Sequence, residues 1–311
     1  MDTREISSKG KIVKVPSISI SDLVLVVNGK LIKKAEIFDE FWLDSDKLID
    51  PYFIIEKLKL EKNPPDIFAF EQRIPDVVPK YDFYLEWVNY AIANFDSYSE
   101  WLEKKVSRSV RKKIRQSMNR GVETKIVPFS DEFVMGVCSI YNELKVRQGR
   151  RFWHYGKSFE TIKKETGTYL GKSVFIGAYF NDEMIGFAKI VLIDEMAASL
   201  QIISKAAFSE KRPTNALLSK VVKTCEERQI KRFIYGEYSY GHKEQSSLID
   251  FKRSNGFEKI DVPRYYVPLT YKGKLALRFG LHRGLVKLLP NSFRAWAIKM
   301  REKFHSIISK T

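Results

Sequence analysis

Short apolar stretches separated by turn residues predict β-strands in the first part of the chain. The stretch 23–27 is followed by Asn28-Gly29, a pair that readily supplies the two positive-φ positions of a tight hairpin turn. A second apolar stretch covers 66–71, directly after two prolines. We therefore interpret residues 20–95 as a strand-rich N-terminal part that follows a tail of residues 1–19.

Helical periodicity replaces this pattern after residue 96. Apolar side chains recur every four positions from Val106 to Met118. Ser97 with Glu100 forms a capping box before them, and Gly121 follows as a stop signal, so the pattern predicts one helix over 98–119.

Beyond this helix, three apolar runs joined by very short polar turns are typical of an antiparallel meander. A strand and two helices precede the meander, and further helices and strands alternate after it. The predicted elements are a strand at 124–127, helices starting at Ser130 or Asp131 and near Ser158, the meander at 174–180, 185–192 and 197–203, a helix capped by Thr214, a strand at 232–235, a helix at 247–254 and a strand at 265–269. We treat 96–270 as one domain and 271–311 as a basic amphipathic helical tail.

Composition narrows the class of protein. The 311 residues are 44% hydrophobic and 13% aromatic, which excludes a disordered chain. No apolar run approaches the roughly 18–20 residues that span a bilayer, and the N-terminus lacks the layout of a signal peptide, so we expect a cytoplasmic protein. Cys138 and Cys225 fall among apolar residues and the four histidines are scattered, so we expect no metal.

The net charge of +16 is concentrated in two segments. Residues 104–120 hold eight Lys or Arg and no acid, and residues 271–311 hold ten against the single acid Glu302. The rest of the chain is close to neutral, so we interpret the protein as an ordinary globular chain that carries two basic elements.

The order of elements from 96 to 270 resembles the acetyltransferase-like (GNAT) fold, and two motifs are similar to the Fem-type aminoacyltransferase branch. A basic helix containing Arg111-Lys112-Lys113-Ile114-Arg115 leads to Arg120-Gly121-Val122, and Phe251-Lys252-Arg253-Ser254-Asn255-Gly256-Phe257 follows the pattern F-K-x-x-x-G-F. The resemblance implies an α+β fold with a mixed, mostly antiparallel central sheet flanked by helices, here with C-terminal amphipathic helices. It also implies a donor lying between two splayed strands, 197–203 and 232–235.

The loop before the helix at Thr214 is the expected donor site. Acetyl-CoA enzymes of this fold carry glycines whose N–H groups hold the pyrophosphate at the helix start. This chain has Lys211, Arg212, Thr214 and Asn215 there, without the glycines, as Fem-type enzymes also lack a well-formed loop. Acyl-CoA, including acetyl-CoA, and aminoacyl-tRNA both stay open as donors.

A loop rich in arginine and aromatic residues is the expected acceptor site. Arginines offer forked donors for phosphate or carboxylate, and aromatic rings can stack on a sugar or base. The alternative is a solvated loop whose aromatic side chains pack beneath it. The candidates are Arg147, Gln148, Arg150, Arg151, Trp153, His154 and Tyr155.

Acyl transfer to an amine needs a base, an oxyanion donor and an acid for the leaving group. No Ser-His-Asp order or activated cysteine is evident, so direct transfer is the simpler chemistry. We expect Glu237 or His242 as the base and Tyr240 as the acid, although Glu237 could equally pair with a nearby cation. The resemblance places Lys252, with Arg253 beside it, at the substrate or donor, and a solvated helix face is the alternative.

The two basic segments suggest partners. The helix at 104–120 could engage aminoacyl-tRNA, or could be a charged solvent-facing helix. The tail could lie on an anionic membrane surface, or could dock on the protein itself or on another subunit. The leading hypothesis is acyl transfer to an amine of a lipid-linked cell-envelope precursor, another small molecule or an amino sugar at the inner face of the membrane. The alternative is a non-catalytic nucleic-acid-binding protein on a degenerate scaffold of this fold.

Overall fold

A computed structural model describes residues 2–8, 11–147, 149–240 and 246–284. The chain forms two compact units, called here the first unit (Met1–Glu86 with Pro263–Thr311) and the second unit (Trp87–Val262). The predicted site residues Gln148 and His242 lie outside the described residues, and so does the tail from 285 onward. The domain limits drawn from the sequence stay predictions.

The structure describes strands along the whole sequence from Asp2 to Pro268, some of them in consecutive runs and others separated by helices. They are β1 Asp2–Ser8, β2 Lys11–Ile20, β3 Leu23–Asn28, β4 Lys34–Ile37, β5 Ile67–Glu71, β6 Tyr84–Asn94, β7 Glu123–Val127, β8 Val146–Arg147, β9 Arg150–Arg151, β10 Ser173–Phe180, β11 Glu183–Ile193, β12 Met196–Ser204, β13 Arg232–Glu237 and β14 Glu258–Pro268.

Most of the α-helices begin at a Ser, Thr or Asp whose side chain accepts the N–H of a first-turn residue. These caps explain why the sequence predicts helix starts well. The helices are α1 Pro51–Lys59, α2 Tyr98–Glu100, α3 Arg108–Asn119, α4 Asp131–Tyr141, α5 Phe159–Thr166, α6 Pro213–Glu227, α7 Ser247–Ser254 and α8 Tyr271–Arg278.

The first unit is a sheet with the strand order β1-β2-β3-β4-β5-β14. Neighbouring strands are antiparallel except for β4 and β5, which are parallel. Apolar side chains of β3, β5 and α1 form its core, around the stacked rings of Phe70 and Tyr265. The predicted hairpin of β3 and β4 is present, but its loop is longer than a two-residue turn, because Asn28 pairs with Lys34. Strands β1 and β2 lie where the sequence pattern suggested only a tail.

The second unit is a sheet with the order β6-β13-β12-β11-β10-β7. The meander β10-β11-β12 is antiparallel, as predicted. Along β10, Ile176 packs in the core that includes α3 and α6, whereas Phe175 packs with α4 and α5. Because successive side chains of a strand point to opposite faces, helices cover both faces of this sheet.

The single helix predicted over 98–119 is wrong, since the chain leaves the helix near Val106. A π turn at Trp101–Lys105 follows α2, Val106 is extended, and Ser107 caps a new helix, α3. Arg111 makes this break possible, because its guanidinium donates to the carbonyl oxygens of Leu102, Glu103 and Val106. The apolar spacing continues across the break, which is why the pattern did not reveal it.

The expected cap of α6 is also corrected. The helix begins at Pro213, with Arg212 at the N-cap position in a left-handed conformation and no side-chain cap bond. Thr214 lies inside the first turn, and its hydroxyl bonds to Ser204 Oγ at 2.9 Å. Proline suits a first helical position because it has no N–H to leave unsatisfied there.

Candidate functional site

Strands β12 and β13 stop pairing partway along their length. Their parallel ladder consists of Met196–Arg232, Ala197–Phe233 and Ala198–Ile234, and no further pair is formed among the described residues of the two strands. Beyond this point each strand presents an edge of backbone N–H and C=O groups to the space between them. Such edges can bind an extended ligand by main-chain hydrogen bonds.

Irregularities in both strands mark the place where they stop pairing. On β12, Leu200 is an extra residue, because Lys189 pairs with Gln201 and Ile190 pairs with Ser199. On β13, the register against β6 shifts between Ile234 and Glu237. β-Bulges of this kind end pairing and redirect side chains and amides. The two strands therefore separate within 197–203 and 232–235, the stretches between which the resemblance implies a donor.

The turn 237–240, which begins at the last residue of β13, carries two of the candidate catalytic residues and is held from two sides. On one side, the Lys252 ammonium donates to the carbonyl oxygens of Glu237 and Tyr238. On the other side, Asn89 Oδ1 accepts from the Ser239 amide at 2.7 Å and from its hydroxyl at 3.2 Å. The backbone of 237–239 is thereby fixed at the end of the splayed strand.

Tyr240, at the end of this turn, is 55% exposed and its ring lies 4.8 Å from Lys252 Nζ. Burial, and secondly the charge of Glu237, raises the pKa of Tyr240, so its phenol is protonated at neutral pH. Glu237 itself is exposed. An exposed carboxylate and a protonated phenol close together in the same turn are suited to accept and to donate a proton.

Lys252 and Arg253 are adjacent in sequence but occupy different environments. Lys252 is completely buried, and burial lowers the pKa of its ammonium, against the opposing effect of Glu237. Arg253 is exposed and pairs with Asp250 at 2.6 Å. The lysine thus contacts the main chain of the candidate site, whereas the arginine is a surface residue.

The structure divides the predicted acceptor loop into anchoring and exposed parts. Arg147 is an anchor: its guanidinium donates to the carbonyl oxygens of Ser204 at 3.0 Å and Ile140 at 2.9 Å, and it pairs with Glu143. Arg151 is exposed and lies in the small β8–β9 ribbon. The side chain of Arg150 lies outside the described part of the chain.

The aromatic residues of this loop alternate between buried and exposed positions. His154 is buried and stacks on Tyr141 with ring centroids 4.2 Å apart. Burial, followed by the charges of Lys157 and Arg147, lowers the pKa of His154 to about 4. Trp153 is 55% exposed and Tyr155 is 40% exposed. The two exposed rings can stack on a ligand, and the neutral His154 supports the loop from below.

Lys157 orders the exposed ring of Trp153. Its ammonium lies 3.7 Å from the Trp153 ring centroid and pairs with Glu165 at 2.7 Å. A cation held over an indole ring limits the motion of that ring. The loop therefore presents Trp153 in a defined orientation.

The predicted donor loop differs from a free pyrophosphate site. The amide groups of Ala206 and Ala207, which come after β12, already donate to the Glu143 carboxylate at 2.7 and 2.8 Å. Pro213 supplies no N–H at the start of α6. The amide groups that directly follow β12 are thus bound within the protein, and Pro213 offers no amide group in the predicted donor loop itself.

The four donor-loop candidates have separate positions. Lys211 lies 3.8 Å from the Phe180 ring centroid, and Arg212 is partly exposed in its left-handed conformation. Thr214 bonds to Ser204, and Asn215 is buried. Of these four residues, Lys211 and Arg212 are the cations that directly precede Pro213 at the start of α6.

Two residues of this site were missed by the sequence analysis. Asn89 is a polar residue within an aromatic strand, and Glu143 is an acid four residues before Arg147, so both left only a weak signal in the sequence. Their roles depend on contacts with residues that are distant in sequence, at 150 positions for Asn89 and Ser239 and 64 for Glu143 and Ala207.

No family model matches the chain, and no curated protein matches it either. Solved structures do resemble it. The C-terminal domain of a protein described as a lysylphosphatidylglycerol synthetase, from Agrobacterium fabrum, has a TM-score of 0.56 and 11% identity, with 89% of this chain and 87% of that chain covered. L-PGS from Bacillus licheniformis gives 0.55 and 14%, with 86% and 87% covered, and FemX gives 0.51 and 12%, with 89% and 90% covered.

These likenesses show the fold. The acetyltransferase-like α+β fold predicted from the sequence is confirmed, and so is its likeness to Fem-type structures. Within the described ranges, no helix combines the length and the apolar character needed to cross a bilayer. In the same part of the chain, no three His, Cys, Asp or Glu side chains are grouped so that they could hold a metal ion.

Proposed function

We propose that this chain transfers an aminoacyl group from the ester of an aminoacyl-tRNA to an amine. The observation that carries the proposal is the pair of splayed, bulged strands β12 and β13, which ends at the anchored turn holding Glu237 and Tyr240. The names of the similar structures, FemX and lysylphosphatidylglycerol synthetase, support the choice of an aminoacyl group.

The chemistry requires direct attack of the acceptor amine on the ester carbonyl of the donor. A base, Glu237 or His242, takes a proton from the amine as the C–N bond forms. Backbone N–H groups of β12 next to the bulge at Leu200 stabilise the oxyanion. The C–O bond of the ester then breaks, and Tyr240 protonates the departing hydroxyl.

The donor choice rests on the loop that comes after β12. The predicted donor loop, 211–215, has no glycine and its Pro213 supplies no N–H, and the amide groups of Ala206 and Ala207 just before it are already bound by the Glu143 carboxylate. Acyl-CoA, including acetyl-CoA, is therefore the second choice. An ester donor needs no pyrophosphate loop, and its backbone phosphates can bind elsewhere.

The basic face of α3 is a place for those phosphates. Arg108, Lys112 and Arg115 are exposed, are spaced by four and three residues, and line one pocket along the helix. Others of the eight cations predicted to meet tRNA have internal partners: Arg111 binds the helix break, and Arg120 donates to the Glu210 carbonyl. The proposed tRNA-binding surface thus contains fewer cations than the eight that the sequence of 104–120 suggested.

On the acceptor side, the exposed rings of Trp153 and Tyr155 and the side chain of Arg151 suit a sugar or a phosphate-bearing precursor. We propose an amine of a cell-envelope precursor, lipid-linked or carried by an amino sugar, as the acceptor class. Such a substrate is consistent with a protein in the cytoplasm that works at the inner face of the membrane.

The test is a transfer assay with purified protein. Total tRNA charged with radiolabelled amino acids is offered in one arm and labelled acetyl-CoA in the other, each with glucosamine, a lysine-containing peptide or a membrane lipid extract. Label should move from tRNA to one of the acceptors, and the movement should be lost in Tyr240→Phe. Transfer from acetyl-CoA alone would reject the tRNA donor, and no transfer in either arm would reject the enzyme.

The basic face of α3 also favours the second candidate, a non-catalytic nucleic-acid-binding protein. That protein would bind RNA in a salt-dependent manner without moving label in any arm of the assay. Uncharged and charged tRNA would then bind with the same affinity, whereas the proposed enzyme distinguishes them through the splayed strands.

A further inference from the structure

We propose that Lys252 and Asn89 are positioning residues: together they clamp the turn 237–240, so that Glu237 and Tyr240 face the splayed strands in one arrangement. The catalytic consequence of the clamp rests on the proposed function, but the clamp itself is a property of the fold. A positioning role for Lys252 differs from the expectation that this lysine contacts substrate or donor directly.

The first arm of the clamp is a buried cation. Lys252 is completely buried on α7, and a charged amine out of water requires hydrogen-bond acceptors. The carbonyl oxygens of Glu237 and Tyr238 supply them, and the Tyr235 and Tyr240 rings lie 5.7 and 4.8 Å from the ammonium. The turn can move away only by leaving this cation unpaired, which is costly.

The second arm approaches through β6. Asn89 Oδ1 accepts from both the amide and the hydroxyl of Ser239, and the Asn89 carbonyl oxygen accepts from the Tyr238 amide at 3.4 Å. The carbonyl groups of the turn are thus bound by α7, and its N–H groups are bound by β6. Two elements that are far apart in sequence hold the same three residues.

The need for such a clamp arises from the local backbone. The register of β13 shifts immediately before the turn, and Gly236 has a φ of +86°. A bulged strand with a glycine in this conformation has few ladder hydrogen bonds to fix the next residues of the chain. The side-chain clamp replaces the missing ladder bonds at the point where proton transfer would take place.

The second unit contains a matched control for Lys252. Lys189 on β11 is also completely buried, and its ammonium donates to Thr166 O at 2.8 Å and to Thr168 Oγ1 at 2.9 Å. It holds the end of α5 and makes no contact with the turn among the described residues. A Lys→Met change at either position removes one buried cation from its carbonyl partners.

The test compares Lys252→Met with Lys189→Met by hydrogen exchange, with mass spectrometry of the segment 235–240. We expect exchange in this segment to rise about tenfold or more in Lys252→Met, and to stay at the wild-type rate in Lys189→Met. Asn89→Ala changes a half-buried residue and should raise exchange in the same segment. This variant still tests the clamp if Lys252→Met does not fold. Unchanged exchange in folded clamp variants, or an equal rise in Lys189→Met, would overturn the clamp.

The catalytic consequence is measured separately, in the transfer assay with charged tRNA and the acceptor that receives label from the wild-type protein. Lys252→Met and Asn89→Ala should lower kcat about tenfold or more with the KM for acceptor unchanged, whereas Lys189→Met should keep kcat for the folded fraction. If Lys252→Met raised the KM for the acceptor and left kcat unchanged, Lys252 would be a substrate-binding residue and its positioning role would be rejected. If wild-type protein transfers nothing, the proposed function fails, and the exchange comparison still decides whether the clamp exists.

Discussion

Glu143 and Arg147, four residues apart in the segment that follows α4, form an ion pair with Arg147 Nη2 and Glu143 Oε2 at 3.1 Å, and the same carboxylate accepts from the amide groups of Ala206 and Ala207. Arg147 in turn binds the Ser204 carbonyl at the end of β12. The pair therefore ties the start of the predicted acceptor loop to the backbone that directly follows β12. The Glu143 carboxylate occupies the amide groups of Ala206 and Ala207, so these groups are not free to bind an external anion.

Removing this carboxylate should free two amide groups, just before the predicted donor loop, to bind a phosphate. In Glu143→Ala, the amide groups of Ala206 and Ala207 lose their acceptor, and Arg147 loses its charged partner. We expect CoA to bind the variant more tightly than the wild type by calorimetry, and stability to fall by about 2–4 kcal/mol because a partly buried charge network is broken. Glu132→Ala, at an exposed acid on α4, is the control. Equal CoA affinity in all three proteins would show that Glu143 does not govern the donor loop.

Replacing the proposed acid should affect turnover and not stability. Tyr240→Phe removes one hydroxyl from a half-exposed side chain, so its melting temperature should match that of the wild type. We expect kcat to fall about 100-fold, the lower range for loss of a general acid, with the donor KM unchanged. Tyr271→Phe, at a position 77% exposed, serves as the control and should retain full activity. A Tyr240→Phe enzyme with wild-type kcat would remove this residue from the mechanism.

Neutralising the basic face of α3 should weaken RNA binding and reduce its dependence on salt. Changing Arg108, Lys112 and Arg115 to Gln removes about three phosphate contacts, each of which contributes roughly 0.7–0.9 to the slope of log K against log salt. We therefore expect that slope to become shallower by about 2–3 in a titration with tRNA.

A variant with the same loss of charge elsewhere controls for the net charge of the protein. Lys57, Lys59 and Lys62 are exposed in the first unit, and their triple change to Gln alters the total charge equally. If both triple variants reduce the slope alike, general electrostatic attraction explains the binding and α3 is not the tRNA surface.

His154 should make the protein lose stability as the pH falls. Its folded pKa of about 4 lies below the ordinary value of 6.5. Between these two pH values the unfolded chain therefore binds a proton at this residue, whereas the buried ring stays neutral. The stabilising contribution is complete above about pH 6.5 and is lost as the pH falls towards 4, to the extent of about 1–3 kcal/mol. Urea unfolding of wild type and His154→Phe at about pH 7.5, 5.5 and 4.5 measures this loss across the interval between the two pKa values. The variant should show a smaller loss, and equal losses would contradict the assignment.

Local patterns predicted most of the elements that build the second unit. The meander, the cap of α4 at Ser130 and the bounds of α7 could be read from the sequence, because they depend on alternation, turn residues and capping side chains within a few positions. The break at Val106 could not be predicted in this way. The carbonyl groups that it frees accept hydrogen bonds from Arg111, and the apolar spacing carries no information about that contact.

The candidate site was only partly predictable for a similar reason. The sequence located the splayed strands and the turn with Glu237 and Tyr240, because element order and the motif at Phe251–Phe257 point there. It assigned Arg147 to the ligand, whereas the structure shows its guanidinium bound to protein acceptors. It assigned no role to Asn89 or Glu143, whose bonding partners come close only after the sheet has formed.

Lys252 and Arg253 separate what the sequence determined from what the tertiary structure decided. The sequence by itself determined that both lie on a short helix over 247–254 that ends before Gly256. Only the packing of α7 decided that one cation is fully buried against the carbonyl groups of β13 and the other is exposed beside Asp250. Adjacent helix positions point about 100° apart, so the facing surface, and not the residue type, assigns the role.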